Sequence, residues 1–347
     1  HLPFHSKIIL ERNVMALKFG LLGAGRIGKV HAKAIDATEG ATLTAVAEPF
    51  ADAANEVANQ YGCAIRTIEE IEASNDIDAV VICTPTDTHA DLIERFARAG
   101  KAIFCEKPVD LDIGRVKACQ LVVEQTGAQV MVGFNRRFDP HFMALQTAVS
   151  NRQIGDVEML QITSRDPGLP PYDYIPRSGG IFRDMMIHDF DMARFILGEE
   201  PTEVQASGSV LVDAKVGELG DFDSSSVLMK TASGKQCLIS NSRRASYGYD
   251  QRIEAHGSKG MVQAENQRPV SIEIANADGF TRPPLHDFFM TRYVEAYANE
   301  IKSFVQALNA GKAVHPNIDD GLKSLVLAEA AVRSCKEGRM IKTADVA

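Results

Sequence analysis

The stretch Lys18-Phe19-Gly20-Leu21-Leu22-Gly23-Ala24-Gly25-Arg26-Ile27-Gly28 decides the fold. A short β-type run ends in G-x-G-x-x-G and passes directly into a helical pattern, which is the context that gives the motif its meaning. Gly23 permits the tight turn, Gly25 lets the backbone approach a pyrophosphate, and Gly28 lets the helix pack closely on the strand. The helix N-terminus attracts the anion through its free N–H groups. Glu48 closes the next β-type run, twenty positions past Gly28. A carboxylate there accepts from ribose hydroxyls and opposes a 2′-phosphate, since like charges at about 4 Å cost roughly 1 kcal/mol in water and about 4 kcal/mol at an effective dielectric of 20. The residues that follow, Pro49-Phe50-Ala51, offer no cation to hold such a phosphate. NAD is therefore expected rather than NADP.

Outward from this motif, short apolar runs alternate with helical patterns. Strands are expected at Leu17-Leu22, Thr42-Ala47, Asp78-Cys83, Ala102-Cys105 and Gln129-Val132, and helices at Ile27-Ala37, Ala51-Gln60, Asp87-Ala99 and Ile113-Gln125. Nearly continuous apolar strands belong in a parallel sheet covered on both faces. The pattern changes near residue 150. Strands with alternating character follow one another at Val157-Ser164, Val204-Val212, Ser225-Lys230, Gln236-Asn241 and Gln251-His256, broken by one expected helix over Ile181-Leu197. Helices at Arg292-Leu308 and Asp319-Lys336 end the chain. The expected architecture is an α/β Rossmann domain over residues 15–138, followed by an α+β domain over 139–347 with a large, mainly antiparallel open sheet. The last helices have the length to pack back on the first domain, and a cleft between two domains is the default ligand site.

Composition sets the outer limits. A chain of 347 residues exceeds a single ordinary core, and 45% hydrophobic with 24% charged residues suits globular packing throughout. A formal net charge of −9 argues against nucleic acid or an anionic membrane surface as partner. Six cysteines without a C-x-x-C pair read as free thiols. With no long apolar stretch or signal-type segment, a reducing, cytoplasmic setting is expected. Residues 1–14, HLPFHSKIILERNV, match neither a leader nor a domain element, and we read them as an extra segment before a natural start at Met15.

Two further segments, Cys83-Thr84-Pro85-Thr86-Asp87-Thr88-His89 and Cys105-Glu106-Lys107-Pro108, follow the third and fourth long strands. With the glycine motif and D-x-x-x-H at Asp184 and His188, they resemble the Gfo/Idh/MocA family of NAD(P)-dependent sugar and polyol oxidoreductases, along essentially the whole chain from Met15. Gly133-Phe134-Asn135-Arg136-Arg137-Phe138-Asp139, Ser164-Arg165-Asp166-Pro167 and Gly179 to Asp189 are similar to the inositol-oxidising branch. The resemblance implies oxidation of a ring secondary alcohol, foremost myo-inositol at C2, with scyllo-inositol, another isomer or a pyranose as the alternative. It implies a cofactor set of Gly23, Gly25, Arg26, Ile27, Gly28, Glu48, Thr84, Pro85, His89, Glu106 and Lys107, a catalytic set of Lys107, Asp184 and His188, and substrate contacts from Asn135, Arg136, Asp166 and Tyr293. It also implies association through the second sheet, as a homotetramer or dimer.

The residue types support that chemistry independently. Lys107 lies at the carboxyl edge of the sheet, where it can stabilise a developing alkoxide or relay its proton. Asp184 and His188, four apart on an expected helix, share one face, as a helix ion pair or as a base with its orienting carboxylate. His188-Asp189-Phe190-Asp191 has no second His or Cys at ligand spacing, so no metal is expected. His31 reads as a helix-face residue. A non-catalytic NAD-binding regulator would lack Lys107 or His188 and carry a basic patch, and neither holds.

Overall fold

A computed structural model describes residues 16–347. The expectations for residues 1–14 and Met15 fall outside them. The glycine motif opens a six-stranded sheet of β1 (Leu17–Leu22), β2 (Ala41–Ala47), β3 (Ala64–Ile65), β4 (Ala79–Ile82), β5 (Ala102–Cys105) and β6 (Val130–Val132). Its order is β3-β2-β1-β4-β5-β6 and all pairings are parallel. The helices α1 (Arg26–Asp36), α2 (Ala51–Tyr61), α3 (Ile68–Ala73), α4 (His89–Arg98) and α5 (Ile113–Thr126) cover it. Every residue of β4 and β6 is buried, which is why these strands read as unbroken apolar runs. Strand order reverses between β1 and β4, and a ligand crevice opens outside the carboxyl ends at that point.

The second half carries α6 (Pro140–Ser150), β7 (Val157–Arg165), α7 (Ile175–Ser178), α8 (Gly180–Asp184), α9 (Ile187–Leu197), β8 (Pro201–Ser209), α10 (Ala214–Glu218), β9 (Ser224–Thr231), β10 (Gln236–Ser242), β11 (Asp250–Gly257) and β12 (Gly260–Ala264). A small hairpin, β13 (Ile274–Asn276) and β14 (Gly279–Thr281), precedes α11 (Phe289–Arg292), α12 (Val294–Asn309), α13 (Ile318–Glu337) and β15 (Ile341–Lys342). The second sheet runs β12-β11-β7-β10-β9-β8-β15, antiparallel except between β7 and β10.

Two expectations need correction. The helix over Ile181-Leu197 is broken at Met185-Met186, where the Met186 N–H reaches back to Ile181 O and Asp189 N–H bonds Met186 O, so the ladder loses its four-residue step. The strand expected at Val204-Val212 ends at Ser209, because the Asp223 carboxylate takes the N–H groups of Leu211, Val212 and Asp213 and turns the chain away. The return of the last helices is seen: Phe304 of α12 packs on Phe19 and Phe104 of the first sheet, with ring centroids 6.2 and 6.0 Å apart.

Candidate active site

One cleft of about 2000 Å³ runs from the glycine loop to His188 between the two sheets. At the first end, Gly23 (φ +93°) has no room for a side chain, since a Cβ would come 2.7 Å from Cys83 O. A Cβ on Gly28 would come 2.1 Å from Gly23 O, so this glycine serves packing beneath the turn. Gly25, the N-cap of α1, faces open space with nothing within 4 Å of where its Cβ would stand. The Glu48 carboxylate accepts from Ala24 N–H at 2.7 Å and Phe50 N–H at 3.0 Å, which fixes it at the edge of the loop. These features fit a dinucleotide: open space for backbone approach at Gly25, the helix dipole behind it, and a carboxylate held just past the end of β2.

Arg26, Ile27, Thr84, Pro85, His89, Glu106 and Lys107 line the same cleft. The two ring nitrogens of His89 lie 2.7 Å from Pro108 O and 2.8 Å from Thr84 O, so the ring ties the loops after β4 and β5 together. The Lys107-Pro108 bond between them is cis. His31 is wholly buried rather than on a helix surface, because its Nε2 lies 2.6 Å from Glu106 Oε1.

At the far end, Lys107 Nζ donates to Asp184 O at 2.9 Å and lies 3.5 Å from Asp184 Oδ1. An ammonium has three N–H groups, so one remains for an oxygen in the cleft. Asp184 also accepts from Tyr174 Oη at 2.9 Å and from Arg243 at 3.2 Å. Burial would raise its carboxyl, but Lys107, then Arg243 and Tyr174, hold it below the ordinary range. This revises the reading of Asp184 and His188 as neighbours on one helix. They sit on α8 and α9 on either side of the break, and the carboxylate is satisfied by Lys107, Tyr174 and Arg243 instead of the imidazole.

His188 lines the cleft with its Nδ1 buried and unpartnered, which leaves Nε2 as the nitrogen open to a substrate. Burial, then Lys107 and Arg136, pushes its pKa well below the usual value. A neutral imidazole beside a cationic lysine is competent to take a hydroxyl proton.

Asn135, Arg136, Asp166 and Tyr293 all line this end. Arg136 is heavily engaged, donating to Asp189 Oδ1 at 2.6 Å and Ser164 Oγ at 3.0 Å. Arg137 holds Asp191 at 2.6 and 2.7 Å. The adjacent arginines thus consume both carboxylates of His188-Asp189-Phe190-Asp191, a pairing that spacing alone does not disclose. Asp166 lies 3.6 Å from Arg243, and burial lifts its pKa to about 6 against the opposing pull of Arg243 and Arg136. Sequence reasoning passed over Arg243 and Tyr174, which hold Asp184, and Tyr249, which lines the cleft. Arg243 and Tyr249 lie in the loop beyond β10, where a strand-end Arg-Arg pair and Gly248-Tyr249 were the available signals.

Among the described residues, His31, Glu106 and Glu300 form a group with metal-type donor atoms. The His31 to Glu106 separation of 2.6 Å is a hydrogen bond and leaves no space for a cation between them.

Fold and cleft together define an NAD-binding oxidoreductase of the Rossmann class. Residues 17–134 match the oxidoreductase family with NAD-binding Rossmann fold, and residues 142–263 match the GFO/IDH/MocA C-terminal domain. The chain belongs to the Gfo/Idh/MocA family. It is 68% identical to an inositol 2-dehydrogenase of Rhizobium meliloti (strain 1021), covering 95% of this chain and 100% of the relative. The crystal structure of a myo-inositol dehydrogenase from Corynebacterium glutamicum is similar at 44% identity and a TM-score of 0.91, over 94% of this chain and 99% of that one. A scyllo-inositol dehydrogenase from Lactobacillus casei with bound NAD(H) and scyllo-inositol is similar at 28% identity and a TM-score of 0.89, over 95% and 99% of the two chains.

Proposed function

We propose that this protein oxidises myo-inositol at C2 to the 2-keto ring with NAD. The observation that carries the reading is that Lys107 and His188, with its Nε2 open, line one end of the cleft that begins at the glycine loop, near enough for the lysine's charge to act on the imidazole. The names of the relatives support the choice of ring. NAD supplies the hydride acceptor when bound. Gly23, Gly25 and the N-terminus of α1 hold its pyrophosphate, and Glu48 takes its ribose hydroxyls.

His188 Nε2 removes the proton of the reacting hydroxyl. Lys107 donates its free N–H to the same oxygen and stabilises the charge that develops there. Asp184 anchors Lys107 through both its carbonyl and its carboxylate, and Tyr174 and Arg243 hold Asp184. The remaining ring hydroxyls meet Asn135, Asp166, Tyr293 and the free edge of Arg136. Loop residues Gly168 to Pro171 line this end of the cleft.

The test is initial-rate NADH formation with myo-inositol, scyllo-inositol, glucose and xylose as substrates, beside Lys107→Ala and His188→Ala. Turnover on myo-inositol that collapses in both variants supports ring and roles together. No turnover on any cyclic polyol, with NAD bound, removes the reading. The protein works in the cytoplasm as a homotetramer, assembled through the outer face of the second sheet.

A further inference from the structure

Glu106 and Glu300 form an arrangement that the reaction above does not use. Glu106 Oε1 is 2.6 Å from His31 Nε2, and its Oε2 accepts Lys107 N–H at 3.1 Å. A carboxylate only accepts, so Nε2 carries the hydrogen. Glu300, from α12, reaches the same pocket: donor atoms of His31, Glu106 and Glu300 lie within 4.8 Å of one another. Glu300 is 0% exposed and neither of its oxygens has a hydrogen-bond partner.

Two carboxylates this close together in one buried pocket do not both ionise. Burial, then the charge of Glu106, pushes the Glu300 carboxyl well above its ordinary range. Glu300 therefore holds the pair's proton, and Glu106, which accepts from His31 Nε2–H and Lys107 N–H, is the member left as carboxylate. The other titratable groups facing the pair are His31 from α1, Cys83 after β4, Cys105 on β5 and Tyr297 on α12. Burial raises both thiols and the phenol, so those three add no charge at neutral pH. The Lys107 ammonium bonds Asp184 and lines the cleft rather than bonding either glutamate. Unlike Glu300, Glu106 reaches the cleft, between the glycine loop and His188. A dinucleotide with its pyrophosphate at Gly25 and its reacting ring at Lys107 passes over it.

We propose that Glu106 and Glu300 act as a one-proton carboxyl pair that makes the site prefer the oxidised cofactor: the single charge of Glu106 favours a cationic nicotinamide over the neutral reduced ring. Glu300 keeps that charge single. The preference weakens the hold on NADH once the ring is neutral and so favours product release. The inference rests on the NAD reading above.

The test compares dissociation constants of NAD and NADH by NADH fluorescence titration and displacement with NAD, at about pH 7.5, on the full chain. Glu106→Gln should raise the constant for NAD and lower that for NADH, moving their ratio by about tenfold. Glu300→Gln mimics the protonated carboxyl and should leave the ratio within about twofold. In the wild type the preference for NAD should shrink on acidification, as the pair takes its second proton, and this holds whether or not the variants fold. A ratio unmoved in folded Glu106→Gln, one shifted as strongly by Glu300→Gln, or one flat with pH overturns the proposal alone. If the wild type binds neither cofactor, the NAD reading falls and this inference with it.

Discussion

Burial, then the charges of Lys107 and Arg136, holds the His188 imidazole well below its ordinary pKa of 6.5. Its neutral form is the one able to accept a proton, and with a lowered pKa that form persists as pH falls through 6.5. The acid limb of kcat/KM for myo-inositol should therefore lie below pH 6.5, and a pH-rate profile with a limb at or above that value would refute the assignment. His188→Gln, which keeps the shape and removes the base, should lower kcat by about 10²- to 10⁴-fold. Asp166 shifts the other way, from 3.8 to about 6. A carboxyl raised by folding contributes stability that is full below its unfolded pKa and is lost as pH rises through about 6. At pH 7.5 its charge costs up to about 3 kcal/mol, taking roughly 1.36 kcal/mol per pKa unit. Asp166→Asn should therefore be more stable than the wild type to urea at pH 7.5, with the gain vanishing below about pH 4, while kcat/KM drops about tenfold or more through the lost hydroxyl acceptor. A destabilised Asn variant at pH 7.5 would show that the carboxylate is favourably paired.

At the scale of elements, the loop between β1 and α1 separates two uses of glycine. The Gly28 Cβ would meet a backbone oxygen at 2.1 Å, and no side-chain rotation relieves that. Gly28→Ala should cost about 1–3 kcal/mol in urea unfolding. Gly25 has an extended backbone at φ −67° and open space, so Gly25→Ala should keep wild-type stability but bind NAD at least about tenfold more weakly, read by NADH displacement. If both variants lose stability alike, the loop has only a structural role. Much of this was legible in the residues: β4, β5 past its first residue and the last four residues of β1 are buried, so burial writes itself as continuous apolar runs. The two-residue β3 is exposed and too short for any period. The capping box Thr67-Glu70 that opens α3, and Asp139-Pro140 at the start of α6, were readable signals left unused. The break at Met185-Met186 was not readable, because helical patterning runs through it. Partners such as Arg243 with Asp184, or Glu300 with Glu106, are brought together only by tertiary packing of segments dozens of residues apart.

On the scale of the whole molecule, α12 joins the halves: the chain enters it at Tyr293 in the cleft, Glu300 backs Glu106, and Phe304 inserts against β1 and β5. The second sheet, by contrast, has one face covered and one bare. Along β9 buried and exposed residues alternate strictly after the first, and the exposed side includes Leu228, paired directly with the exposed Leu238 of β10. Met159 of β7 and Met261 of β12 extend this bare face, both close to half exposed. A one-sided antiparallel sheet in a monomer shows polar residues outward, and large apolar side chains clustered on such a face mark a contact surface. Sedimentation equilibrium at micromolar concentration should return the mass of four chains. Leu238→Glu places a charge opposite Leu228 and should lower that mass to a dimer or single chain, with the β-sheet circular dichroism unchanged. A wild type that sediments as one chain would leave the bare face without its proposed cover, and a Leu238→Glu variant that remains tetrameric would move the interface to another surface.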